Sequence, residues 1–154
     1  MSLTVYHIAL VCHIIGITIM AGTTFIDFIS FRLFCASLRT APAKALFMED
    51  YLYKLQRFMG IGMLLIILSG LTMMVKLHAV WGPQTWFRIK MGVLLLIIIN
   101  GLGLRRSLGT KLRKAMNGKN ASASPGLIRN FNIVQVVQML LFVLIYTLSI
   151  FKFN

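Results

Sequence analysis

Four stretches of this chain are long and apolar enough to cross a bilayer, and that property leaves few folds open. A crossing helix takes about 20 residues. The first stretch runs from about Leu3 to Phe34 and the second from about Tyr51 to His78; the third spans Trp86 to Leu104 and the fourth about Phe131 to Phe151. A hydrophobic fraction of 58% and a mean hydropathy of +0.85 lie far outside the range of soluble domains. The expectation is an all-α integral membrane protein, a single domain of 154 residues folded as an up-down-up-down four-helix bundle.

Charge sets the expected orientation. Sixteen Lys and Arg oppose three acidic residues, a net charge of +13. The cations flank apolar runs and form no soluble basic face with interleaved aromatics, so no nucleic-acid partner is expected. Arg32, Arg39, Lys44, Lys54 and Arg57 fall around the first connection, and Arg105, Arg106, Lys111, Arg113, Lys114, Lys119 and Arg129 around the third. Only Lys76, Arg88, Lys90 and Lys152 fall on the other side. The positive-inside rule then puts both termini on the non-cytoplasmic side and the basic loops in the cytoplasm, as in a bacterial inner membrane. Residues 105–127 read as a polar basic loop whose cations rest on anionic lipid headgroups, ending in the flexible NGKNASASPG. The Asn120-Ala121-Ser122 sequon has little meaning on that side. Trp81 and Trp86 fit an outer interfacial belt.

The N-terminal MSLTVYH has no positive charge before its apolar run, and the run is long. It reads as a retained transmembrane helix rather than a signal peptide. Cys12 and Cys35 on one helix are roughly 35 Å apart at about 1.5 Å per residue, too far to bridge.

Two imidazoles in YHIALVCHIIGITIMAG raise the functional question. At about 100° per residue, Tyr6, Gly16, Met20, Thr24 and Asp27 all fall within about 60° of His13, a polar, small-residue stripe facing the bundle interior. His7 lies about 120° round from His13, so a neighbouring helix or a second copy in a homodimer is its natural user. His13 has a bland alternative, a hydrogen bond to a backbone carbonyl or to Gln135 or Gln138. Those two glutamines either set helix packing or line a cofactor or quinone pocket. Asp27 is expected to pair with Arg32 or Arg57. Met73 and Met74 are thioether candidates, though Met is mostly filler.

With this topology His7, His13, His78, Lys76, Arg88 and Lys90 all gather in the outer half of the bundle. There is no HExxH, no CxxC and no carboxylate at that depth for zinc. Copper can use His with Met. Haem suits an apolar interhelical cleft with a His axial ligand and cations for its propionates. No Ser-His-Asp set, paired carboxylate or phosphate loop is present.

His13 followed by GITIMAG, with Gly22 nine residues on, resembles the opening helix of the small four-helix membrane proteins of the HemJ and CopD-like group. Gln56-Arg57 to Ser69-Gly70, and Trp86-Phe87-Arg88-Ile89-Lys90 before MGVLLLIIIN, resemble the group's second and third helices. HemJ-type proteins are associated with haem b and protoporphyrinogen oxidation, and CopD-like members with copper. The resemblance implies that His13 and Lys90 correspond to the group's helix-borne His and Lys.

The resulting expectation is a haem-b-binding membrane protein in electron transfer or haem-dependent oxidation, exchanging electrons with a lipid-soluble partner such as a quinone. His13 is the leading axial ligand, with His7 or His78 as a second. Arg88, Lys90 and Lys76 would neutralise propionates, and Tyr6, Gln135 and Gln138 would tune the pocket. The alternatives are a HemJ-type protoporphyrinogen oxidase acting on a porphyrin, a copper-binding or transport protein, and a packing subunit with hydrogen-bonded core histidines.

Overall fold

The computed structural model describes residues 2–117 and 123–151, without the side chains of Arg39, Pro42 and residues 76–81. All described elements are helical: α1 (Leu3–Thr40), α2 (Pro42–Trp81), α3 (Thr85–Ile98), a π-helical segment (Ile99–Arg105), α4 (Arg106–Met116) and α5 (Pro125–Ile150). The π segment joins α3 and α4 without a break, so among the described residues there are four helices long and apolar enough to cross a membrane.

The helix ends follow local chemistry. Ser2 caps α1 by accepting from the Val5 N–H, and Ser124 caps α5 by accepting from the Leu127 N–H. Pro125 stands in the first turn of α5, where its missing N–H costs nothing. Ala41, forced out of helical conformation ahead of Pro42, has φ −150° and ψ 80°. It alone separates α1 from α2.

The helices outrun their apolar stretches. The 38 residues of α1 extend roughly 57 Å at about 1.5 Å per residue, nearly twice a hydrocarbon core of about 30 Å. Residues 35–50, outside the expected spans, are helical except at Ala41. The expected polar loop 105–127 carries α4, because Leu108, Leu112 and Met116 recur every four residues and give that helix an apolar face. Residues 118–122 of NGKNASASPG, with the Asn120-Ala121-Ser122 sequon, lie outside the described residues. Trp86 is buried, its indole N–H donating to the Gln84 side-chain oxygen. The Trp81 side chain lies outside the described residues.

Two apolar clusters hold the helices together. One contains Met20, Met63, Ile66, Ile97 and Phe142. The other contains Phe31, Phe34, Leu52, Leu112 and Phe131, with Phe31 and Phe131 stacked at 4.2 Å between centroids. Along α1, the π segment and α5, buried polar residues separate the two: Thr24 and Asp27, then Asn100 and Arg105, then Gln135 and Gln138. The π segment aligns its contribution. Five residues apart, Asn100 and Arg105 would stand about 140° from each other on an α-helix. Winding with i→i+5 bonds brings both inward.

Between α1 and α2 the chain order of contacts is reversed. His13 meets Ser69, Gly16 meets Gly62, and Phe31 and Phe34 cluster with Leu52 and Ala45.

Candidate functional site

A cavity of about 300 Å³ opens among α1, α2, α3 and α5 in the half that holds the Met20 cluster. Its walls are aliphatic and aromatic, with four thioethers, Met20, Met73, Met74 and Met91. The polar groups facing it are His13, Lys90, Tyr146 and Ser149. That balance, apolar walls with a few placed polar groups, is the usual make-up of a small-molecule site.

His13 is tied to α2 through Ser69. The Ser69 hydroxyl donates back to the Leu65 carbonyl, with the Ile66 carbonyl also within reach at 3.2 Å. A hydroxyl has one proton to give. The Ser69 oxygen, 2.9 Å from His13 Nδ1, is therefore the acceptor, and Nδ1 carries the imidazole proton. A proton on Nδ1 puts the lone pair on Nε2, the arrangement that a metal-ligating or hydrogen-bond-accepting histidine needs. Gly70 keeps the ring edge open: a Cβ there would lie 3.6 Å from His13 Cε1.

The expected site residues divide into four groups. His13 and Lys90 line the cavity, as do Met73 and Met74. Tyr6, His7 and Arg88 do not. The His7 ring is exposed and sits 5.9 Å from the half-buried Tyr6 ring. Arg88 is exposed and its Nε donates to the Gly82 carbonyl at 3.2 Å, bracing the turn before α3. The side chains of Lys76 and His78 lie outside the described residues. Tyr146 was not anticipated; its signal is its position one turn beyond Phe142 and three residues before Ser149 on the same helix.

Gln135 and Gln138 belong to the polar layer rather than to the cavity. Asp27 pairs with Arg105, not with Arg32 or Arg57. Arg105 Nε and Nη2 donate to the two Asp27 carboxylate oxygens at 2.9 and 2.6 Å, and both residues are almost wholly buried. Gln135 Nε2 donates to Asp27 Oδ2 at 2.7 Å and to its carbonyl at 3.2 Å. The Arg105 guanidinium also lies over the Phe131 ring at 4.2 Å. Arg32 instead rests against Phe28, and Arg57 against Tyr53. Nearer the cavity, Asn100 Nδ2 donates to Gln138 Oε1 at 2.7 Å and to the Val134 carbonyl at 2.9 Å. A bidentate pair with a third donor is the arrangement that makes a buried charge tolerable.

Among the described residues no three His, Cys, Asp or Glu side chains come together as a metal-ligand group. No protein-family model, curated protein or solved structure matches this chain.

Proposed function

We propose that this chain is an integral protein of a bacterial inner membrane that binds haem b beside His13 and uses it in electron transfer or haem-dependent oxidation. The observation carrying the reading is the His13 ring at the cavity wall, with its Nδ1 2.9 Å from the Ser69 hydroxyl oxygen. The donor set fits the group: one imidazole nitrogen, one cation on the same cavity in Lys90, and apolar walls. A volume of about 300 Å³ is at the low end for small-molecule sites. Flexible thioether side chains such as Met73 and Met74 must therefore turn aside to admit a macrocycle.

Haem b supplies reversible one-electron chemistry when bound. The chain's own residues do the rest. Ser69 fixes the ligand tautomer, the aliphatic walls keep water away, and Lys90 offsets the charge of an anionic substituent. The helices run up-down-up-down, with both termini on the non-cytoplasmic side. The basic segments around α4 and the α1–α2 turn stand in the cytoplasm. The distribution of Lys and Arg supports this orientation.

The test is a hemin titration of the detergent-purified protein, read by absorption in the oxidised and dithionite-reduced states. A saturable Soret band that shifts on reduction and is lost in His13→Ala is the expected result. A spectrum that stays that of free hemin, or that is the same in His13→Ala, overturns the reading.

The four thioethers favour a second reading, copper(I) held by His13 with Met ligands. Metal analysis finding copper without iron would select it.

A further inference from the structure

The polar layer is incomplete in a specific way. Gln135 Oε1 and Gln138 Nε2 are buried and have no hydrogen-bond partner among the described residues. Neither amide can be turned round to cure this. Gln135 must keep its nitrogen toward the Asp27 carboxylate and carbonyl, since an oxygen there would face two acceptors. Gln138 must keep its oxygen toward Asn100, whose nitrogen is held in place by the Val134 carbonyl. One acceptor and one donor are thus left over, three residues apart on one face of α5. Left dry, each carries the full desolvation penalty of an unpaired buried polar group. A molecule that both donates and accepts removes that cost, and water is the smallest that does.

Gly101 leaves a methyl-sized space open beside Gln138. Gly101 is buried beside Gln138, and a Cβ there would lie 3.7 Å from Gln138 Nε2 and 3.9 Å from Met20 Cε, ordinary contact distances. Met20 lines the 300 Å³ cavity, so this space adjoins the cavity floor. On the other side of the Asp27–Arg105 pair, a second small cavity of about 10 Å³ is lined by Glu49, Gln56, Arg105 and Gly109 among others. One water centre needs about 10–15 Å³. Gly109 makes that space, because a Cβ there would be 2.7 Å from Arg105 Nη1 and 3.2 Å from Gln56 Oε1.

We propose that two internal water sites flank the Asp27–Arg105 pair, one at Gln135 Oε1 and Gln138 Nε2 and one among Glu49, Gln56 and Arg105. With the protein network they form a hydrated polar seam from the α4 end of the bundle to the floor of the His13 cavity. The seam stands whatever occupies that cavity.

Solid-state NMR of the ¹⁵N-labelled protein in lipid bilayers tests it, through short-mixing magnetisation transfer from water. The Gln135 and Gln138 side-chain amides should receive water magnetisation several-fold faster than the backbone amides of Met63 and Ile66, which sit in the apolar cluster. Transfer as slow as at Met63 and Ile66 overturns the inner site, and this wild-type comparison decides it without any variant. The Gly101→Ala methyl fits the space beside Gln138 and takes the water's place, so transfer to Gln138 should fall to the Met63 level. Unchanged transfer to Gln138 in a folded Gly101→Ala protein overturns the placement. For the outer site, fast transfer is expected at the Gln56 side-chain amide, and slow transfer there removes that half of the seam.

Discussion

Gly16 and Gly62 bring the backbones of α1 and α2 into direct contact. A Cβ on Gly62 would lie 2.8 Å from the Met20 nitrogen and 2.9 Å from the Gly16 carbonyl oxygen; one on Gly16 would meet Leu65 Cβ at 2.9 Å and the Gly62 carbonyl at 3.0 Å. Backbone cannot swing aside as a side-chain tip can. Gly62→Ala should therefore force the helices apart and destabilise the protein by about 1–3 kcal/mol. A thermal unfolding curve in detergent reads this. Gly92→Ala, at a position with nothing within 4 Å of the built Cβ, is the control and should leave the midpoint unlowered.

Ser69→Ala removes the acceptor that holds the His13 Nδ1 proton. The loss of one such hydrogen bond is worth about 1 kcal/mol. The more telling change is in the ring. The ¹⁵N spectrum should show one tautomer, protonated at Nδ1, in the wild type and a mixture in Ser69→Ala. Removing an outer partner of a ligating histidine weakens metal binding about 10–100-fold, so hemin affinity should fall by that order.

Asp27→Ala strands the Arg105 charge in a buried site, and such losses run to about 3–5 kcal/mol. Replacing both partners, as in Asp27→Leu with Arg105→Met, removes the stranded charge along with the attraction. The double variant should unfold at a higher temperature than Asp27→Ala. If the two variants unfold together, the pair is not what stabilises this layer.

Lys90 and Arg88 separate two kinds of cation. Lys90 lines the cavity, whereas Arg88 is exposed and bonded to the Gly82 carbonyl. A charge-assisted bond to an anionic group is worth about 1.5–3 kcal/mol, about tenfold or more in affinity. Lys90→Met should weaken hemin binding by that factor, and Arg88→Ala should leave it within twofold, in a fluorescence-quenching titration.

The membrane-crossing helices were legible because apolar runs of this length have few other fates. The meeting of His13 with Lys90 on one cavity was legible too, through the alternation of apolar stretches with basic ones. Other features turned on information that periodicity does not carry. The partner of Asp27 was sought among Arg32 and Arg57, its neighbours in the first basic region, but i→i+5 winding delivers Arg105 instead. No residue pattern in INGLGLR announces that winding. The glutamines were open to two readings, helix packing or pocket lining, and their geometry is that of packing, answering to Asp27 and Asn100. Helix α4 was hidden because its cations outweigh Leu108, Leu112 and Met116 by count, although their four-residue spacing is a helical signature. Tyr146 was passed over as one more aromatic in an apolar run.

The π-helical segment has a mechanical meaning. Ile99–Arg105 packs an extra residue into the rod that begins at Thr85 and ends at Met116. Remove that residue and everything beyond turns by about 100°. Leu112 and Met116 then rotate off the Phe31 cluster, and Arg105 swings away from Asp27. The segment is a splice that sets the phase between the apolar half of the rod and its amphipathic half, and Asp27 is the pin that holds the phase.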